Sequence, residues 1–268
     1  MAFHVVIPAR YASTRLPGKP LLDLGGRPMV QRVVERAAAS QASELWVATD
    51  DERIAAVVRD PRAGQGGVAA QSRAIALLTD PALPSGTDRV AAVARARGWS
   101  DDTIVVNVQG DEPFVPPRLI DQVAALLAGD AGAALATLAA PIASLREFLD
   151  PNVVKVVVAD DGAALYFSRA PIPWTRDAAP AGLGSQAEHG DALRHVGMYA
   201  YRVGALRHIT SLVPSRYEQR EKLEQLRALQ AGLRIVVARC AEPPGPGIDT
   251  EVDLLHARER FAGRGDQT

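Results

Sequence analysis

Cysteine is nearly absent from this 268-residue sequence, where Cys240 stands alone. No internal disulfide can form, and no cysteine-based zinc site can be built. Cys240 follows a valine-rich run and reads as a small core residue rather than a nucleophile. Charge of one sign is missing as well. The net charge is −1, with acidic and basic residues interspersed, which offers nucleic acid or another polyanion no surface. No apolar run approaches the length that crosses a bilayer. The chain enters a buried-strand pattern at His4-Val5-Val6-Ile7 without a basic flank and a long apolar stretch, so no secretory signal is read. Internal repeats and low-complexity tracts are also lacking. What is present is 47% apolar composition, over a length between one and two domains, enough for a full core. The expectation is a soluble, cytoplasmic globular protein with no membrane or nucleic-acid partner.

Short β-branched runs alternate with helical patterns. Strands are expected at Val5–Pro8, Leu45–Thr49, Ile75–Leu78, Ile104–Val108 and Ala134–Ala139, then at Val153–Val158 and Arg234–Arg239. Val30, Val33, Val34, Ala37 and Ala38 recur at helical spacing, and Arg53–Arg59, Asp88–Arg97 and Arg118–Leu127 also read as helices. This alternation predicts an α/β protein with a mostly parallel sheet covered on both faces. The pattern changes after about residue 150. Val153–Val158 and Leu165–Ser168 suit a hairpin around Asp161-Gly162, Ala178–Asp191 reads as a mobile loop, and His195–Tyr201 alternates like a strand. Pro214–Gln230 reads as one charged helix. Residues 150–232 are therefore expected to form a small inserted α+β subdomain, and a frayed tail is expected from Gly263.

Four segments carry chemistry. The first follows strand 1 directly: Pro8-Ala9-Arg10-Tyr11-Ala12-Ser13-Thr14-Arg15-Leu16-Pro17-Gly18-Lys19-Pro20. Ligands of open α/β sheets bind beyond the carboxyl ends of the strands. Arg10, Arg15 and Lys19 on one short loop repel one another unless an anion lies between them, and a nucleoside triphosphate supplies it. A solvated basic loop is the bland alternative. The second, Asn107-Val108-Gln109-Gly110-Asp111-Glu112-Pro113, ends a buried strand in a glycine that permits close backbone approach and an acid suited to Mg²⁺; an ordinary Asp/Gly turn is the alternative. In the third, Gly247-Ile248-Asp249-Thr250 precedes a helix, Thr250 with Asp253 resembles a capping box, and Asp249 is either a turn residue or a second metal carboxylate. In the fourth, Ser85-Gly86-Thr87-Asp88-Arg89 opens a helix, and Ser85 or Thr87 can cap it or turn toward a base or ribose.

Together these segments resemble the 3-deoxy-manno-octulosonate (Kdo) cytidylyltransferases, or CMP-Kdo synthetases. The likeness runs in order through Ala48-Thr49-Asp50, Asn152–Val157, Tyr166-Phe167-Ser168-Arg169, His195-Val196-Gly197-Met198-Tyr199 and Leu223-Glu224-Gln225-Leu226-Arg227. The last three set it apart from the CMP-sialate synthetases, which share the first loop. The resemblance implies a three-layer α/β/α fold with a Rossmann-like sheet of the nucleotide-diphospho-sugar transferase type, and an enzyme that joins CMP from CTP to Kdo for lipopolysaccharide synthesis. It implies CTP contacts from Ala9, Arg10, Ser13, Thr14, Arg15 and Lys19 in the loop and from Ser85, Gly86, Arg89 and Gln109 beyond it. Asp111 and Asp249 would ligate Mg²⁺, and with Arg10 and Lys19 they form the implied catalytic set. Gln109, Arg169, His195, Tyr199, Glu224 and Gln225 would line the acid-sugar pocket. On residue type alone, His195 and Tyr199 suit packed strand positions and Glu224 a solvated helix face. A homodimer built through the inserted subdomain is implied too. The sequence departs from the family pattern at Arg62–Ser72, which looks like extra length, at Leu83, where many members carry His, and in Ala178–Asp191. A glycosyltransferase and a non-catalytic nucleotide sensor are the alternatives from other classes. The first lacks its usual Asp-x-Asp pair here, and the presence of both metal acids weighs against the second.

Overall fold

A computed structural model describes residues 2–12, 16–60, 74–240 and 244–262. The expected extra length at 62–72 and the tail from Gly263 lie outside them, as do Ser13, Thr14 and Arg15.

The strand runs foreseen in the sequence form one mixed sheet. Its strands are β1 (His4–Ala9), β2 (Glu44–Thr49), β3 (Ala74–Leu78), β4 (Ile104–Asn107), β5 (Leu135–Pro141), β6 (Lys155–Val158), β7 (Ala164–Ser168), β8 (Leu193–Arg202) and β9 (Ile235–Arg239). The order along the main path is β3-β2-β1-β4-β8-β5-β9. β1 through β4 pair in parallel, as do β5 and β9, whereas β8 runs antiparallel to both its neighbours.

Side-chain alternation along these strands feeds two cores. Val5 and Ile7 of β1 enter one core with Leu45 and Val47 of β2, while Val6 enters the other with Trp46 and Ala48. A strand apolar on both faces must be covered on both. Helices α1 (Met29–Ala38), α2 (Glu52–Arg59) and α4 (Pro117–Gly129) cover the first face. Helices α3 (Gly86–Arg97) and α6 (Val203–Ser211) cover the second. The result is the three-layer α/β/α arrangement expected from the sequence. Helix α6 was not foreseen, although Val203, Leu206 and Ile209 recur at one-turn spacing and are buried. The short α5 (Leu145–Leu149), capped by Ser144, was missed too. No helix among the described residues is long and apolar enough to cross a membrane.

The region from 150 onward differs from expectation in two ways. Its strand β8 is not part of a separate body but lies inside the main sheet between β4 and β5. The foreseen hairpin β6–β7 forms and extends the sheet through β8. It is pinned by Lys155, a buried ammonium that donates to the carbonyls of Asp150, Val153 and Arg169 at 2.9, 2.6 and 2.7 Å. Second, the single helix expected over 214–230 is two: α7 (Arg216–Glu221) and α8 (Gln225–Gln230). Between them Lys222 takes a left-handed conformation, φ 56° and ψ 47°. A straight helix would set residues 218 and 227 about 14 Å apart along its axis. The break instead lets Arg227 close an ion pair on Glu218, with Nε 2.8 Å from Oε2. The loop Ala178–Asp191 follows a 3₁₀ turn at Arg176–Ala178, contains another at Leu183–Ser185 and is tied across by Ala187 N–H to Ala178 O.

Candidate active site

The carboxyl ends of the neighbouring parallel strands β1 and β4 open a crevice. Gly110 lies so close to β1 that an added Cβ would stand 2.6 Å from the Pro8 carbonyl oxygen; only glycine fits this approach. The loop after β1 is held on both sides of residues 13–15. Tyr11 N–H donates to Asp50 Oδ1 at 3.1 Å, and the Tyr11 ring lies 3.7 Å beneath the Arg53 guanidinium. On the far side, Gly18 turns at φ 67° and returns its N–H to the Tyr11 carbonyl. That turn delivers Lys19 to the crevice. Its ammonium donates to Asp111 Oδ2 at 2.6 Å and to Asp249 Oδ1 at 3.0 Å. The two acids are brought together because Ile248 N–H bonds the Asp111 carbonyl at 2.9 Å. Thr250 and Asp253 cap each other at the start of α9 (Glu251–Ala262). A cavity of about 410 Å³ lies over this group, lined by Ala9, Arg10, Lys19, Gly86, Gln109, Asp111 and Asp249 among others.

A second cavity, of about 300 Å³, adjoins the first and shares Gly86 and Gln109 with it. Strand β8 supplies His195, Tyr199 and Tyr201, the α7–α8 connection supplies Lys222 and Glu224, and the first residue of α8 is Gln225. His195 Nε2 lies 2.9 Å from Thr137 Oγ1, and burial pushes its pKa down to about 3, so the ring is a neutral hydrogen-bonding group. Burial raises the Tyr199 and Tyr201 phenols, which stay protonated. Thr87 Oγ1 donates to Glu224 Oε2 at 2.7 Å. Two buried atoms on this wall, the Tyr199 hydroxyl and Asn107 Oδ1, have no partner among the described residues. Such atoms on a cavity wall are where a polyhydroxylated ligand or water is expected to bond.

The sequence from residue 4 to 235 matches the model of a family described as cytidylyltransferase. Proteins of Xanthomonas euvesicatoria pv. vesicatoria (strain 85-10) and Xanthomonas axonopodis pv. citri (strain 306), both named 3-deoxy-manno-octulosonate cytidylyltransferase, are each 52% identical over 260 residues, covering 97% of this chain and 96% of theirs. The chain belongs to the 3-deoxy-manno-octulosonate cytidylyltransferase family. A solved CMP:2-keto-3-deoxy-manno-octonic acid synthetase in complex with CTP superposes with a TM-score of 0.83 at 40% identity, covering 98% of this chain and 99% of that one. A cytidylyltransferase from Leptospira borgpetersenii serovar Hardjo-bovis (strain JB197), at 16% identity and a TM-score of 0.59, shares the fold.

In this cytidylyltransferase most of the residues singled out in the sequence converge. Ala9, Arg10, Lys19, Gly86, Gln109, Asp111 and Asp249 line the larger cavity. Ser85, Gln109, His195, Tyr199, Glu224 and Gln225 line the smaller one. Ser85 also caps α3, bonding the Asp88 N–H and carboxylate at 3.2 and 2.7 Å, which is the first of its two foreseen roles. Two of the residues lie elsewhere. Arg89 is fully buried and faces the protein, donating to Asp50 Oδ2 at 2.9 Å and Thr79 Oγ1 at 2.6 Å, so it braces the loop anchor. Arg169 lies outside both cavities. Its Nε and Nη1 donate to the carbonyls of Glu221 and Pro151, at 2.7 and 2.9 Å. Glu112, beside Asp111, is half-buried, and desolvation of its carboxyl with the Asp111 charge lifts its pKa to about 7. Sequence reasoning did not assign Asn107, Tyr201 or Lys222 to the site. Asn107 carried a signal, as a polar residue ending a strand of valines; Lys222 carried none.

Proposed function

We propose that this chain transfers CMP from CTP to 3-deoxy-manno-octulosonate, releasing pyrophosphate. The supporting observation is a pair of adjoining cavities that meet at Gly86 and Gln109. One is lined by cations and carboxylates suited to a triphosphate, the other by hydrogen-bonding groups, His195, Tyr199, Glu224 and Gln225 among them, suited to a sugar. The reacting centres of two bound substrates would meet at that boundary, where holding them together supplies much of the rate.

The anomeric hydroxyl of the sugar attacks the α-phosphorus of CTP, the bond from that phosphorus to the α–β bridging oxygen breaks, and the hydroxyl proton is lost to solvent. Arg10 and Lys19 oppose the charge that builds on the departing pyrophosphate. Gln109 faces both substrates. Asp111 and Asp249 fit a divalent cation: two hard oxygen donors already hold a positive group, the Lys19 ammonium, between them. No cluster of three or more acidic, His or Cys ligands occurs among the described residues, so phosphate and water would fill most of a Mg²⁺ coordination sphere there. When bound, Mg²⁺ would neutralise phosphate charge and acidify the attacking hydroxyl.

The same reading makes the product an activated sugar for lipopolysaccharide assembly in the cytoplasm, with CTP and Kdo as the only substrates. A homodimer accords with Leu165, Trp174 and Leu183, apolar side chains exposed on the 164–185 stretch. The test is pyrophosphate release from CTP with Kdo, sialate or a hexose 1-phosphate in turn. Release with Kdo alone supports the proposal; release with sialate or hexose 1-phosphate in preference to Kdo rejects it.

A further inference from the structure

A threonine inside a helix ordinarily spends its hydroxyl locally, capping the first turn or bonding the carbonyl four residues back. Thr87, the second residue of α3, does neither among the described residues. Ser85 makes the cap. The Thr87 hydroxyl donates instead to Glu224 Oε2 at 2.7 Å, 137 positions along the chain. Glu224 also forgoes its local partners. It stands at the N-cap position of α8, where an acid commonly folds back onto the free N–H groups of the first turn, yet its side chain makes no such bond. The two side chains take each other in place of their own helices.

Both residues line the smaller cavity, but they differ in freedom. Thr87 is buried in the packed first turn of α3, whereas Glu224 is exposed. A glutamate in water samples many rotamers, and ordering it is costly. A rigid donor that occupies one of its oxygens fixes the direction of the other. Glu224 Oε1 has no partner among the described residues, and a carboxylate oxygen there can accept from hydroxyls. Burial first, and then nearby charge that includes Glu224, raises the Tyr199 and Tyr201 phenols, so the carboxylate lies close to the wall those rings form. The Tyr199 hydroxyl on that wall is itself without a partner. Resting on the CMP-transfer reading above, we propose that Thr87 is a positioning residue for the sugar: its hydroxyl pins Glu224 in the orientation that receives sugar hydroxyls.

The test separates the hydroxyl from the helix that carries it. Thr87→Val keeps the branched shape and removes the donor; Thr87→Ser keeps the donor; Thr87→Ala repeats the donor-free case if the Val variant does not fold. The donor-free variant should raise the KM for Kdo about tenfold, the scale of one lost hydrogen bond to a charged group, with the KM for CTP within about twofold. Thr87→Ser should stay within about threefold of the parent enzyme, since it restores the same bond. Glu224→Ala should raise the Kdo KM at least as much as Thr87→Val, and the double variant should be no worse than Glu224→Ala alone, as expected when one residue acts through the other. An unchanged Kdo KM in the donor-free variant, an equal rise for CTP, a Ser variant as impaired as the Val variant, or a further tenfold loss on top of Glu224→Ala overturns the assignment. Failure of the unsubstituted enzyme to release pyrophosphate with Kdo would instead reject the underlying reading.

Discussion

Asp50 and Arg89, 39 residues apart, form a shielded ion pair at 2.9 Å whose guanidinium is fully buried. The other Asp50 oxygen accepts the Tyr11 N–H at 3.1 Å, so one carboxylate couples the loop after β1 to the start of α3. Replacing Arg89 with Met would strand that carboxylate without its cation. A loss of about 3–5 kcal/mol is expected, seen as a fall in Tm on the order of 10 °C. Asp50→Asn should also raise the KM for CTP by releasing Tyr11. Melting curves and substrate titrations check both; unchanged Tm and CTP KM would place the pair outside the loop's support.

Gly110 makes a sharper steric claim. An alanine Cβ would stand 2.6 Å from the Pro8 oxygen, a contact with backbone that cannot swing aside. Gly110→Ala should cost about 1–3 kcal/mol through overpacking, and it should reduce kcat/KM more than tenfold, roughly the loss of one well-placed contact. Steady-state kinetics on the folded variant decide this. Normal turnover would mean that β1 and the 110 turn can part without harm to the crevice.

Asp111 and Asp249 should be separable from stability. Both carboxylates are partly exposed, at 34% and 50%, and surface ion pairs contribute little to folding. Asp111→Asn and Asp249→Asn should each lower Mg²⁺-dependent kcat by about 100-fold or more while Tm hardly moves. Metal titration of the rate is the measurement, and near-normal kcat with an unchanged metal requirement speaks against the pair.

His195 gives a pH signature. Its folded pKa is about 3 against an ordinary 6.5, so the unfolded chain binds a proton that the folded chain refuses. Its stability contribution is complete above about pH 6.5 and drains as pH falls toward 3, by at most about 1.4 kcal/mol per pH unit. Glu112, raised to about 7, works in the opposite sense and loses its contribution as pH rises from 4.5 to 7. It cancels when variant and parent are compared. His195→Gln should therefore flatten the acid loss of stability, read as urea midpoints between about pH 4 and 7. Equal slopes in both proteins would show that His195 is protonated in the fold.

The sheet strands, the helices α1 to α4 and the convergence of Lys19 with Asp111 and Asp249 were legible in the sequence. Strand periodicity is local, and the chemistry of two acids beside a cation-rich loop constrains where they must meet. Neighbour relations were not legible. Alternation at 195–201 shows a strand but not that it inserts antiparallel between β4 and β5. Arg89 looked like a ligand-facing cation because its burial depends on Asp50 and Thr79, which only the tertiary fold brings near. The helix break was hidden for the same reason: helical propensity runs through 214–230, and the break at Lys222 is set by the Glu218–Arg227 pair and by the bonds that Ser168 and Arg169 make to Glu221.

The most direct measurement is a phosphorus NMR record of one reaction mixture of enzyme, CTP, Kdo and Mg²⁺. The expected result is the appearance of pyrophosphate and a CMP phosphodiester in equal amounts as CTP disappears. Orthophosphate with CDP, or pyrophosphate accompanied by free CMP from the first turnovers, would contradict transfer at the junction of the two cavities.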